Sequence, residues 1–347
     1  MITDAQKELI AIEVIRTLFA QFEKFPEDEI NNRNAPFHEA FLNTFSEKLA
    51  DKVTSIPVFI SLASWMHGLN TSLGQSFLEK TAHILCSGEK KEFKAEKGTG
   101  LKISANQKNI VNQIITDLSN GIRTPNLEQE NEECLFSEVS AIDATNFTVD
   151  VYFQDDEQVV CIESKTVKPN KGVFKVEKQK ILEAKVALKN IHPDKSILYF
   201  LAFPFDPLSE TPTGFDKQRF MDYSIGFRKY FTENEFLLSS ELWNYLSGGN
   251  DTMQQLIDII NKIATPQFLE KYQFLNNSTS KNTEKNLYIQ YLTEWNLINE
   301  IALVNNERII SEKVKNNNRL TRKFNQQIIK DGEYNVERMM VLKSLLV

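Results

Sequence analysis

Two short segments of this chain, FTVDVYF (147–153) and VVCIESK (159–165), carry the residues best suited to chemistry. Both are β-branched and aromatic, and the sequence QDDEQ separates them, which predicts a β-hairpin. A symmetric hairpin places Asp150 opposite Glu163, with Lys165 on the same face, because side chains alternate along a strand. Directly opposite carboxylates repel each other unless one is protonated or a cation lies between them.

The register of the hairpin decides which side chains share a face, since a slip of one residue turns every side chain over. Hairpin symmetry sets Phe153 opposite Val160 as well. Asp143, in AIDATNF, is a competing acid, but the midpoint between it and Glu163 falls inside the apolar strand at Phe153. Asp150 is therefore the better candidate, and Asp143 remains the alternative.

The two carboxylates offer the kind of oxygen ligands that suit Mg²⁺, which takes one or two of them and keeps water and phosphate oxygens as its other ligands. Lys165 would reach the same place, where it could hold a phosphate oxygen or the attacking water. The set fits metal-assisted hydrolysis of a phosphodiester. The alternative is a pattern without function, since Glu-x-Lys often occurs by chance and acids near hairpin ends are usually just solvated.

The bulk composition describes an ordinary globular chain. Its 347 residues, 41% hydrophobic and 25% charged, can bury a sizeable core. There is no apolar run of about 18 residues, so we expect no membrane span, and the N-terminus does not have the pattern of a signal peptide. The three cysteines, Cys86, Cys134 and Cys161, fit neither a disulfide framework nor a zinc site and indicate a reducing cytoplasm.

Charge is unevenly spread along the chain. The formal net charge of −7 argues mildly against a nucleic-acid partner. However, residues 163–195 contain nine lysines and four acids, and residues 308–330 contain seven basic residues and one acid. Local potential decides what docks where. Either stretch could equally be a solvated helix face.

The pattern of elements predicts an α/β core between helical extensions. Strand, strand, helix and buried strand follow one another from 147 to 205, with the helix at 175–190. Further helices are predicted at 4–24, 37–49, 104–119 and 282–347, and in the stretches that begin at 239 and 252. Another helix is predicted to begin at an N-cap formed by Asn70, Thr71 or Ser72. Residues 88–101 are predicted to be a linker, and 121–133 a loop. The domains predicted are a helical extension (1–68), the core (69–265) and a second helical extension (266–347).

At these residues the sequence resembles a known superfamily. Asp150 and Glu163-Ser164-Lys165 resemble the PD-(D/E)xK signature, and the stretch that follows is similar to the TdeIII-type group of type II restriction endonucleases. Three more pieces are similar to that group in the same order: NAPFH (34–38), HGLNTSLGQSFLEK (67–80) and ELWNYLSGG (241–249). The region after PFDP (204–207) departs from the group, which puts an inherited DNA target in doubt.

The resemblance implies a restriction-endonuclease-like core, with a mixed central sheet flanked by helices. It also implies a Mg²⁺-dependent, sequence-specific double-strand cutter that acts as a homodimer on a near-palindromic, GGNCC-like site and is paired with a DNA methyltransferase. Asp150 and Glu163 would bind the metal, and Lys165 would position or activate the nucleophile. Glu79 would complete the metal shell; alternatively it is an exposed helical glutamate paired with His83 or Lys80.

Candidate DNA contacts lie in three places. Lys168, Asn170 and Lys171 lie in or next to the turn predicted at 169–172, Arg219 lies in the segment 204–229, and Arg319 and Arg322 lie in 308–330. Arginine, asparagine and glutamine pair bidentately with base edges, whereas lysines suit phosphates. The alternative for 308–330 is a polar helix packed elsewhere.

A stripe at helical spacing, Tyr288, Tyr291, Trp295 and Ile298, is either a dimer surface or part of the core. Two other functions remain open at this point. One is a PD-(D/E)xK nuclease of repair or recombination, which a neighbouring methyltransferase gene would argue against. The other is a catalytically inactive DNA-binding protein, which a cleavage assay with and without Mg²⁺ would test.

Overall fold

The structure is a computed structural model that describes residues 1–26, 35–165 and 172–346. The chain forms two compact units. The sheet unit comprises Met1–Ile2 and Thr81–Gln255, and the helical unit comprises Thr3–Lys80 and Leu256–Val347. In the described ranges, no helix is both long and apolar enough to cross a bilayer.

The helices and strands of the described ranges are numbered in chain order. The α-helices are α1 (Asp4–Phe22), α2 (Pro36–Leu42), α3 (Ser46–Leu49), α4 (Ile56–Ser72), α5 (Glu79–Cys86), α6 (Ala105–Asn120), α7 (Leu127–Cys134), α8 (Val173–Ile191), α9 (Lys217–Tyr223), α10 (Ser240–Ser247), α11 (Thr252–Ile263), α12 (Phe268–Asn276), α13 (Ser280–Thr283), α14 (Lys285–Glu294), α15 (Ile298–Asn305), α16 (Glu307–Val314), α17 (Asn318–Phe324) and α18 (Val336–Ser344). The strands are β1 (Glu89–Phe93), β2 (Lys102–Ile103), β3 (Ile142–Asp143), β4 (Phe147–Gln154), β5 (Gln158–Ser164), β6 (Ser196–Phe203), β7 (Phe236–Leu238), β8 (Ile329–Lys330) and β9 (Glu333–Tyr334).

The sheet unit is organised around one mixed sheet. Among the described residues, five of its strands lie in the order β1-β4-β5-β6-β7. β1, β4 and β5 are antiparallel neighbours, whereas β5, β6 and β7 are parallel. Parallel neighbours need a crossover connection, and α8 lies between β5 and β6 in the chain and packs on β6. This mixed sheet with flanking helices confirms the predicted α/β class.

Helix α8 packs one side into the core of the sheet unit. Its buried apolar residues are Phe174, Ile181, Leu182, Ala184, Val186, Ala187 and Leu188. Lys178 has no exposed surface and lies between the carboxylates of Glu130 on α7 and Glu235 just before β7. Apolar packing and this buried ion cluster therefore fix which side of α8 faces the hairpin.

The helical unit is built from both ends of the chain. Phe19 of α1 stacks on Tyr272 of α12, with ring centroids 4.8 Å apart. On α15, the Glu300 carboxylate accepts two hydrogen bonds from the Arg338 guanidinium, at 2.8 and 2.9 Å. The first contact joins α1 to the last third of the chain, and the second links α15 to α18.

Two residues of the aromatic stripe, Tyr288 and Trp295, pack inside this unit, whereas Ile298 is exposed. Tyr288 is 4% exposed and its hydroxyl donates to the Leu275 carbonyl at 2.9 Å. Trp295 is fully buried and stacks on Phe268, with centroids 5.5 Å apart. These two rings are therefore core residues and do not form a dimer surface.

The predicted helix start near residue 70 is wrong. Asn70, Thr71 and Ser72 lie inside α4, whose N-cap is Ser55, and a π-helical stretch (Leu73–Leu78) connects α4 to α5. Pro57 is tolerated at the start of α4 because the N–H groups of a first turn have no partner within the helix. The apolar spacing thus belongs to a longer helical segment that begins earlier.

Four shorter features also differ from the sequence prediction. The predicted linker contains β1, and the predicted loop contains most of α7. The strand β7 was not predicted, and the C-terminal region expected to be helical contains the small hairpin β8-β9. Each is a short element whose stability depends on its neighbours.

Candidate functional site

The hairpin of β4 and β5 has the predicted register. Phe153 pairs with Val160, as hairpin symmetry requires. Continued to the open end of the hairpin, the same register brings Asp150 beside Glu163. The backbone N–H of Ser164 donates to Asp150 Oδ2 at 3.0 Å, which fixes the orientation of that carboxylate.

Asp150 occupies a shielded position between three elements. The His83 ring of α5 donates from Nε2 to the Asp150 carbonyl at 2.7 Å, and Lys90 Nζ of β1 lies 3.3 Å from Oδ1. Burial, followed by the charge of Glu163, raises the pKa of the Asp150 carboxyl. A nearby cation would oppose both effects because it favours the ionised form.

Lys165 lies at the end of the hairpin with its ammonium between two carboxylates. Its Nζ is 2.8 Å from Glu163 Oε1 and 2.9 Å from Glu177 Oε1. Its backbone N–H donates to the Ala202 carbonyl of β6 at 2.8 Å, so the position is held by the sheet. Burial opposes the charge of Lys165, but the two carboxylates outweigh it and raise its pKa. Lys165 is therefore a cation at neutral pH.

Two residues of α8, Glu177 and Lys180, join this group without having been predicted. Lys180 Nζ lies 2.9 Å from Glu163 Oε2 and 3.4 Å from Glu177 Oε2. The signal available in the sequence was the lysine-rich run at 163–195, in which the spacing of these two residues sets them on one face of a helix. Which face meets the hairpin is set by tertiary packing.

The residues on this face fit a Mg²⁺ ion. Asp150 and Glu163 supply the oxygen ligands that the ion prefers, in a place where a cation relieves their repulsion. Within the described ranges no three His, Cys, Asp or Glu side chains form a complete metal site. The remaining ligands would therefore be water and phosphate oxygens, as is common for Mg²⁺.

The two other acidic candidates lie elsewhere in the structure. Asp143 is on β3, in a separate two-stranded sheet with β2, and its exposed carboxylate binds Lys102 at 3.0 Å. This location favours Asp150 as the hairpin ligand. Glu79, the first residue of α5, is half-buried and belongs to the helical unit. Its role at the metal stays a prediction.

The candidate DNA contacts fall into three groups in the structure. Lys168, Asn170 and Lys171 lie outside the described residues. Arg219 is on α9, with its guanidinium 3.3 Å from the buried Asp206 carboxylate. Arg319 and Arg322 are both exposed on α17 of the helical unit. The last two are therefore accessible to a ligand.

The sequence also matches a known family and a known protein. Residues 2–264 match the family model described as "Type II restriction endonuclease, HinfI". The chain is 39% identical to the type II restriction enzyme MjaII of Methanocaldococcus jannaschii, over 97% of this chain and 96% of that protein. The expectation of a type II restriction endonuclease is thereby confirmed.

Proposed function

We propose that this chain, which belongs to the HinfI family of type II restriction endonucleases, cuts both strands of DNA by Mg²⁺-dependent hydrolysis at a PD-(D/E)xK site. Family membership makes it a site-specific deoxyribonuclease. The observation that supports the metal and the site is the placement of Asp150, Glu163 and Lys165 together at the end of one hairpin.

Each residue of the site has a part in an in-line attack of water on phosphorus. When bound, Mg²⁺ would polarise the phosphoryl group and lower the pKa of a coordinated water. Asp150, oriented by the Ser164 N–H, and Glu163 would hold the ion. Because its carboxylate neighbours keep Lys165 protonated, it suits a phosphate oxygen better than a proton-accepting role. The products would carry 5′-phosphate and 3′-hydroxyl ends.

A plasmid assay tests this function directly. The purified chain should cut supercoiled plasmid at discrete positions in Mg²⁺ and bind without cutting in Ca²⁺ or EDTA. Sequencing the ends would give the site and the stagger, and so test the GGNCC-like target. Cleavage in EDTA would contradict the metal mechanism, and tight binding with no cleavage in any divalent metal would favour the inactive DNA-binding alternative.

The partners follow from the chemistry of a near-palindromic target. Such a site has two-fold symmetry, so two copies of the chain, with one active site for each strand, would match it. A monomer in light scattering, both free and on cognate DNA, would contradict the homodimer. A DNA methyltransferase that protects the same site is the expected functional partner in the host.

For base reading, α17 is the first candidate. Arg319→Ala or Arg322→Ala should weaken cognate binding by about 1–3 kcal/mol if the side chain forms a bidentate pair with a base. Their exposed positions suit such a contact. Binding isotherms on cognate and unrelated duplexes measure the effect, which should fall selectively on the cognate.

Lys315 is a matched control for a phosphate contact because it is also exposed and lies in the same segment. Lys315→Ala should weaken binding to all DNA sequences alike. It should also reduce by about one the slope of the logarithm of the binding constant against the logarithm of the salt concentration. Unchanged cognate affinity and cleavage in both arginine variants would rule out α17 as the reader. Arg219 and the rest of 204–229 would then be the next region to test.

A further inference from the structure

Four side chains at the end of the hairpin form a closed ring of alternating charge. Lys165 and Lys180 each contact both Glu163 and Glu177, at distances from 2.8 to 3.4 Å. The two glutamates come from different elements, β5 and α8. In the structure, therefore, each lysine has one anchor on the strand and one on the helix.

The two anchors would not be equivalent during the reaction proposed above, on which this inference rests. A carboxylate that coordinates Mg²⁺ shares its negative charge with the ion and is oriented by it. Glu163 would therefore attract the lysines less strongly once the metal is bound. Glu177 would remain as their second anchor. Its Oε2 is buried, accepts no hydrogen bond within the described residues and lies 3.4 Å from Lys180 Nζ, so a closer contact with that lysine is open to it.

Helix α8 is well suited to hold Glu177 at a fixed position. The next residue, Lys178, is fully buried between Glu130 and Glu235, and the apolar side of the helix lies in the core. A group carried on a packed helix keeps a more constant place than one on a loop.

We propose that Glu177 is a positioning residue of the nuclease: it holds Lys165 and Lys180 at the scissile phosphate while Glu163 is engaged with the metal. Lys180 then acts as a second cation beside Lys165. Two ammonium groups directed at one phosphate would stabilise the charge that develops in the transition state.

Single-turnover cleavage of plasmid across a Mg²⁺ titration tests the proposal, with full-length wild type beside Glu177→Gln. The variant keeps the shape of the side chain and removes its charge. We expect its maximal rate to fall about 10- to 100-fold, as for outer partners of metal sites, with the half-saturating Mg²⁺ concentration unchanged. Glu177→Asp, which keeps the charge on a shorter side chain, should recover part of the rate.

Glu183→Gln is the matched control, because Glu183 is a buried carboxylate of the same helix that accepts hydrogen bonds from Thr145 and lies outside the ring. It should keep the wild-type cleavage rate even if it unfolds more easily. A wild-type rate in Glu177→Gln overturns the proposal, as does an equal loss in Glu183→Gln. A loss that high Mg²⁺ restores would make Glu177 a metal ligand and overturn it too. Wild type that cuts without Mg²⁺ would refute the proposed function, and this inference with it.

Discussion

Asp150→Asn and Glu163→Gln should each lower the rate of DNA cleavage by at least about a thousandfold. A metal contributes several kcal/mol to transition-state stabilisation, and each ~1.4 kcal/mol is a factor of ten in rate. Asn at position 150 can still accept the hydrogen bond from Ser164, so the hairpin should stay intact. Since burial and Glu163 raise the pKa of Asp150, a neutral side chain there should leave thermal stability unchanged or increase it.

Single-turnover cleavage and DNA binding in Ca²⁺ separate catalysis from recognition in these variants. Specific binding should survive, because it rests mainly on other contacts. Asp143→Asn serves as the control, since that carboxylate is exposed and lies on another sheet. A normal rate in Asp150→Asn with a loss in Asp143→Asn would show that Asp143 is the ligand. Glu79→Gln belongs in the same assay: if Glu79 supports the metal, higher Mg²⁺ should restore its activity.

Lys178→Met should destabilise the protein by about 3–5 kcal/mol, the usual cost of removing one partner from a buried ion cluster. The change would leave the carboxylates of Glu130 and Glu235 facing each other away from water. Burial already raises the pKa of Glu130, and Lys178 opposes that effect. Chemical denaturation followed by circular dichroism measures the loss, which is a large part of a typical free energy of unfolding of about 5–15 kcal/mol.

Lys180→Met is the matched control for this prediction. Lys180 is the same residue type on the same helix, but its side chain is 19% exposed. Lys165 would still pair with both glutamates in this variant, so we expect a smaller loss of stability than in Lys178→Met, together with slower cleavage. Lys178→Met should thus change mainly the stability of the protein, and Lys180→Met mainly its cleavage rate. Equal stabilities for Lys178→Met and wild type would mean that the cluster does not stabilise the fold.

The register of the central hairpin could be predicted because it depends on local symmetry. The loop QDDEQ and the alternation on either side of it determine which residues face each other, so the place of Asp150 beside Glu163 follows from the sequence. Glu177 and Lys180 could not be placed in the same way. Their contact with Lys165 depends on how α8 is rotated against the sheet, and long-range packing sets that rotation.

Two of the strands that the sequence prediction missed share a physical cause. β1, with the sequence EKKEF, is an edge strand, where charged residues are tolerated and discourage pairing with other chains. β7 has only three residues, all of them buried, which is too short to show a period. In both cases the neighbouring strand, rather than the local pattern, stabilises the element.

The composition of the helical unit from both ends of the chain has a consequence for synthesis on the ribosome. Phe19 of α1 can meet Tyr272 only after about 250 further residues have been made, and closing so long a loop carries an entropy cost. The part of α1 that packs on α12 must therefore wait, while the sheet unit, contiguous apart from Met1–Ile2, can fold first. The helical unit can assemble only once nearly the whole chain has left the ribosome.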